Sequence, residues 1–340
     1  MRRAHGQAGF SLPELLIAMA IMLIISGAAV SALLRMTEAQ ATIWNRTQMH
    51  SGIRGATEVL QQEVGQAGRI ALAAVTMTAA TGSGLAGAEV TLPVTSSAGM
   101  YVGMRLTVDT GSATNETDPA QETVQVTRIL TATSIGVKSI VTDGLGNITG
   151  RVRAHNLNAP VLALGAFGTG IVPPENSPSA YTPSGTTFTY TNGSTGSVLK
   201  LYGDINADGN MVYIEYTCDT TTNNNLYRNM MAWNAGSKPA VAASQILLSN
   251  VTSNPNSTPC FTYQTAVVGG NVYVTDVAIT LTVRTQLIDP VTKQYQTQTK
   301  ALLNVSPRNT FNAWQMASLG IAGRIQPMPP TVTALLPPLP

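Results

Sequence analysis

LLIAMAIMLIISGAAVSALL, from Leu15 to Leu34, is a run of twenty residues without a charge. As a helix rising ~1.5 Å per residue it extends about 30 Å, the thickness of a bilayer's hydrocarbon core. Arg2 and Arg3 precede it, and the positive-inside bias holds that end in the cytoplasm and delivers everything after Leu34 to the far side. Three readings share these facts. A secretory signal peptide would be cut near Val30-Ser31-Ala32 and lose the helix, whereas a plain signal anchor would keep it and leave the preceding residues arbitrary. The third is a helix retained after a short leader is removed. Glu14, on the edge of the span, separates them: an acidic side chain is disfavoured there unless it has a partner or snorkels to the headgroups.

Gly9-Phe10-Ser11-Leu12-Pro13-Glu14, running directly into Leu15-Leu16-Ile17, resembles the type IV prepilin signature: a small residue before the cut, Phe at the new N-terminus and a glutamate five residues in. The resemblance implies that a prepilin peptidase removes residues 1–9 between Gly9 and Phe10 and that Phe10 is N-methylated. It also implies that Glu14 docks on the α-amino group of a neighbouring subunit and so sets axial register, a docking role and not a catalytic one.

Beyond the span, Met49, Ile53, Ala56, Leu60, Val64 and Ala67 recur at intervals of three and four, which predicts a continuing helix with one apolar face. Gly52, Gly55, Gly65 and Gly68 weaken that half, each by ~1 kcal/mol in a helix interior, so it needs packing against a sheet. Leu60–Gly68, LQQEVGQAG, is similar to the helix end of the W and J classes of minor pilins and pseudopilins, with Gly65 where a basic residue is expected. The family's mid-span proline is absent as well. Ser31 stands near its place, which leaves any local melting to Gly27.

With 340 residues the chain is long enough for two domains. Only 11% of the residues are charged and the net charge is +2, which gives no electrostatic footprint for nucleic acid. After Ile70 short apolar alternations separated by Gly, Asn, Asp and Ser predict strands and turns. The expected fold class is α+β: a long N-terminal helix, its first half transmembrane and its second amphipathic, packed on an antiparallel β head with an inserted β module. The expected plan is leader 1–9, helix 10–69 with its span at 15–34, inserted module 70–164, Pro, Gly and Ser-rich linker 165–184, β head 185–320, and tail 321–340. The module resembles a small β unit of exported bacterial proteins and reads as a spacer. Segments such as SVLKLYGDINADGN, MVYIEYT and VTDVAITLTVRT resemble the head of W-class minor pilins. Six prolines in the last fourteen residues predict a disordered, extended tail. Cys218 and Cys260 lie in the exported part, where they can form a disulfide or remain buried thiols.

Asp204-Ile205-Asn206-Ala207-Asp208-Gly209, with Glu215 at the twelfth position, satisfies the spacing of an EF-hand loop. Asp204, Asn206 and Asp208 offer side-chain oxygens and Asn210 a carbonyl for Ca²⁺. The flanks alternate like strands, however, and five residues of strand carry Glu215 about 16 Å from the loop. An Asx-rich hairpin turn accounts for the same residues without metal. His5, His50 and His155 are scattered, and the chain shows neither G-x-S-x-G nor a phosphate loop, so no enzyme is expected. The resemblance implies a W-class minor pilin in the inner membrane, its head periplasmic, which joins other minor and major pilins to prime filament growth. The alternatives are a J-class pseudopilin of type II secretion and a membrane-anchored calcium-dependent adhesin.

Overall fold

The structure, a computed structural model, describes residues 11–110, 121–143, 145, 147–178 and 187–338. Gly9 and Phe10 lie outside the described residues. The chain forms two compact units, one of Met1–Ser51 with Arg284–Gln298 and one of Gly52–Val283 with Thr299–Pro340.

Helix α1 (Leu12–Gln66) begins in the first unit and contains no proline beyond Pro13, so its hydrogen-bond ladder passes Gly27 unbroken. The other segment of this unit folds back on itself: the Thr285 N–H donates to the Gln296 carbonyl at 2.8 Å, and Asp289 accepts the Val291 and Thr292 N–H groups at 2.8 and 2.9 Å. Arg46 of α1 donates through Nε to the Gln296 amide oxygen, which fastens the segment to the helix.

In the second unit the last turns of α1 bury the predicted face, with Ile53, Ala56, Leu60 and Val64 all 2% exposed or less. A helix end leaves its last carbonyls without intrahelical donors. Here Asn309 Nδ2 donates to Gln66 O at 3.0 Å and to Ala67 O at 3.3 Å. Gly68 then turns the chain at φ +82°, its N–H donating to Tyr202 O and its carbonyl accepting from Phe167 N–H, both at 2.9 Å. Gly170 crosses so near that a Cβ there would fall 2.1 Å from the Gly68 Cα, so both positions need glycine.

Six strands follow: β1 (Val75–Thr76), β2 (Val90–Pro93), β3 (Arg105–Val108), β4 (Glu122–Thr131), β5 (Ser134–Ser139) and β6 (Pro160–Leu162). They form an antiparallel sheet in the order β1-β6-β3-β4-β5-β2. The sheet curls until its outer strands meet, Thr78 N–H donating to Pro93 O at 3.0 Å and Thr95 N–H to Thr76 O at 2.9 Å. Closure removes the exposed edges. Next come β7 (Ala166–Phe167) and the pair β8 (Asn176–Pro178) and β9 (Thr187–Thr189).

The strands β10 (Val198–Gly203), β11 (Val212–Asp219), β12 (Asn225–Ala232) and β13 (Ile246–Ser249) form a four-stranded antiparallel meander. A further sheet contains β14 (Val251–Thr252), β15 (Phe261–Val268), β16 (Asn271–Arg284) and β17 (Thr297–Val305), with the other three pairing with β16. Helix α2 (Arg308–Ser318), strand β18 (Ile325–Gln326) and helix α3 (Pro330–Leu335) complete the chain. The long helix and antiparallel head make the α+β class expected from the sequence.

One hydrophobic cluster runs from Leu92, Val124 and Ile135 in the curled sheet through Phe167 to Tyr202, Tyr213 and Met231 in the meander. Two expectations need correction. The described part of the stretch 165–184, residues 165–178, is not a mere linker, since Phe167, Ile171 and Val172 are fully buried and β7 pairs in parallel with β18. The tail is not disordered over its described length: Val332, Leu335 and Leu336 enter the same cluster at 0, 2 and 3% exposure. Its prolines start α3 instead, with Pro330 as the first helical residue, where a missing N–H costs nothing.

Candidate functional site

Among the described residues, one helix is long and apolar enough to cross a membrane, and its most apolar window has no side chain buried within the chain. The helix opens on Ser11. The Ser11 carbonyl accepts the first intrahelical bond from Leu15 N–H at 3.1 Å. Glu14 Oε2 reaches back to accept both the Ser11 N–H at 3.0 Å and its hydroxyl at 2.8 Å. The N-cap N–H and hydroxyl are thus both taken up by the glutamate three residues on, the reciprocal half of a capping box. The Ser11-x-x-Glu14 spacing of such a box is legible in the sequence, beside the intersubunit partner and the headgroups that were weighed for Glu14. The carboxylate therefore has two donors on its own chain, at the edge of a span where a bare charge is disfavoured.

Cys218 on β11 and Cys260, just before β15, form a disulfide with their Cα atoms 6.5 Å apart. It links the meander to the neighbouring sheet. The Asp204 loop folds as an Asx-rich turn. Asp204 is 2% exposed; its Oδ1 accepts the Asp208 and Gly209 N–H groups at 3.0 and 3.3 Å, and its Oδ2 lies 3.4 Å from Arg69 Nε. Asp208 in turn accepts the Asn210 N–H at 2.9 Å, while Ala207 and Gly209 take left-handed φ values of 58° and 85°. Glu215 is directed elsewhere. It faces Lys200 across the β10–β11 ladder and accepts from the Tyr213 hydroxyl at 2.9 Å and from Lys238 Nζ at 2.6 Å. No three His, Cys, Asp or Glu residues gather as a metal site among the described residues.

Sequence reasoning missed the charged groups that lock the head. Glu63 of α1 receives Arg228 Nε at 3.0 and 3.1 Å and the Tyr216 hydroxyl. Hydrogen bonding to Glu63 raises the Arg228 guanidinium pKa against the opposing effect of burial, whereas burial first, and then the Glu63 charge, pushes up the Tyr216 phenol. The ammonium groups of Lys200 and Lys238 donate to the Leu336 and Pro337 carbonyls, both at 2.8 Å, and hold the tail in place. Burial lowers the Lys200 pKa. His155 is buried with Nε2 2.9 Å from Glu122 Oε1. No periodicity signals these pairs, because each joins residues far apart in the chain.

A search among curated proteins returns no match to the chain. A family model described as the prokaryotic N-terminal methylation motif matches residues 4–30, which takes in Gly9, Phe10, Ser11 and Glu14 and most of the charge-free run Leu15–Leu34. The chain carries a type IV pilin-like N-terminal signal on an apolar helix suited to membrane anchoring.

Proposed function

We propose that the chain is a W-class minor pilin, a structural subunit that primes a type IV pilus or forms part of its tip complex. One observation carries the reading: the methylation motif over residues 4–30 leads straight into a helix whose apolar span is wholly exposed in the single subunit. Such a surface needs lipid before assembly and other helices after it. The partners on this reading are a prepilin peptidase, which cuts between Gly9 and Phe10, then inner-membrane lipid, and finally other minor and major pilins. The head occupies the periplasm until the filament extends. Phe10 becomes the methylated N-terminus, and Glu14 exchanges its Ser11 donors for the amine of a neighbouring subunit. The disulfide and the Glu63 lock keep the head rigid for that work, which is structural and not catalytic.

Mass spectrometry of the mature N-terminus tests the proposal. It expects N-methyl-Phe10 in the wild type and an intact leader in Gly9→Arg, because a bulky cation cannot occupy a subsite that accepts a small residue. A leader retained in the wild type would reduce the helix to a simple anchor and reject the pilin reading.

A further inference from the structure

Strand β15 borders an open groove of about 810 Å³ within the second unit. Its sequence, FTYQTAVV, contains neither charge nor proline, the usual protections of an edge strand. Backbone groups alternate along an antiparallel pair, turning toward the partner strand at one residue and away at the next. Thr280 N–H donates to Cys260 O at 2.9 Å, which fixes the phase: even-numbered residues of β15 face β16, and odd-numbered ones face outward. The bulge falls on β16, where Gln264 pairs with Asp276 and Thr265 with Val274, so the phase along β15 is kept. Phe261 N–H finds Gly196 O at 3.0 Å. Beyond it the outward N–H and C=O groups of Tyr263 and Thr265 open on the groove and have no partner outside their sheet among the described residues.

The groove walls add chemistry. Phe311 and Trp314 of α2 form an aromatic pair with ring centroids 5.1 Å apart. Glu175 and Asp276 bring two carboxylates to which no cation is paired among the described residues, and burial raises the Asp276 pKa. Lys200 lies in the field of Glu175, but its ammonium is committed to the Asn192 and Leu336 carbonyls. An unpaired strand edge is matched by another backbone, and carboxylates beside an aromatic face are matched by a cation.

We propose that the groove takes an extended peptide segment of another protein, which adds as a strand to β15 and directs a lysine or arginine side chain toward Trp314, Glu175 and Asp276. The open edge favours a peptide over a glycan, which has no ladder of N–H and C=O groups to offer. The proposal stands on the second unit alone, so its failure leaves the assembly reading untouched.

The probe is a phage-displayed library of random nonapeptides panned on the full-length chain in detergent. Enriched peptides are expected to carry Lys or Arg within alternating apolar positions. Glu175→Lys and Asp276→Lys, each checked for an unchanged melting temperature, should weaken a synthetic version of such a peptide at least tenfold. Asp276→Asn serves if the lysine variant unfolds. Hydrogen exchange at the Tyr263 and Thr265 amides should slow at least tenfold in the complex. Absence of enrichment, binding indifferent to the charge reversals, or unchanged exchange at those amides would overturn the proposal. So would retention of a neutral oligosaccharide, such as an N-acetylglucosamine trimer, in place of peptides.

Discussion

Glu63 near the end of α1 and Arg228 on β12 form a two-point ion pair, with Arg228 Nε and Nη2 both directed at the Glu63 carboxylate. Glu63 keeps 9% of its side chain exposed and Arg228 23%, so the pair is shielded without being sealed. It ties the amphipathic half of the helix to the meander.

Removing one partner strands the other. Glu63→Ala is expected to destabilise the head by about 3 kcal/mol, the lower end of the range for breaking a buried pair, because Arg228 retains some water. Urea unfolding of the full chain in detergent measures this. Glu63→Leu combined with Arg228→Met should recover much of the loss, since replacing both charges removes the stranded one. Additive losses in the double variant would show the pair to be uncoupled.

Stability should fall above pH 10. Tyr202, Tyr213 and Tyr216 have phenol pKa values raised chiefly by burial, whereas unfolded tyrosines ionise near 10. Above that pH the unfolded chain sheds protons that the folded chain keeps, so each such tyrosine lowers stability by about 1.4 kcal/mol per pH unit. Phenolate absorbance should rise together with loss of the folded signal; gradual ionisation of these three within an intact fold would contradict the burial argument.

Calcium and chelator should give the head the same melting temperature, because the Asp204 carboxylate is already taken by Asp208 N–H, Gly209 N–H and Arg69. Asp204→Ala should cost about 2 kcal/mol in both conditions through lost hydrogen bonds to a charged group. A melting temperature raised by calcium in the wild type alone would support the metal reading instead.

The Cys218–Cys260 bond closes a separation of 42 residues. On the chain-entropy model a loop of that size stabilises the fold by about 4 kcal/mol. Cys218→Ala with Cys260→Ala should lower the unfolding free energy by that order, read by urea titration, with processing at Phe10 unaffected.

Glu14→Ala should insert and be processed normally but fail to enter filaments, because it loses the carboxylate on which assembly is proposed to depend. Immunoblots of sheared pili read the outcome. Wild-type incorporation would reject the docking role and leave Glu14 with its local bond to Ser11.

The elements legible in the sequence were those whose signals are local. The charge-free run Leu15–Leu34 showed an anchoring helix, and the three-and-four spacing from Ile53 to Val64 marked the face that is buried. The tail was misread because proline content was weighed without its apolar neighbours. Val332, Leu335 and Leu336 find a core that only the folded chain supplies.

The sequence by itself determined the N-terminal signal, the apolar helix and the alternation into strands, since each is a pattern within a few consecutive residues and depends on chain geometry alone. Only the tertiary structure decided that Glu63 meets Arg228 across 165 positions, that Lys200 and Lys238 hold the tail, and that the odd-numbered edge of β15 opens on an acidic, aromatic groove. Those contacts depend on strand register and on how the sheets close, and neither is encoded in any one stretch of the chain.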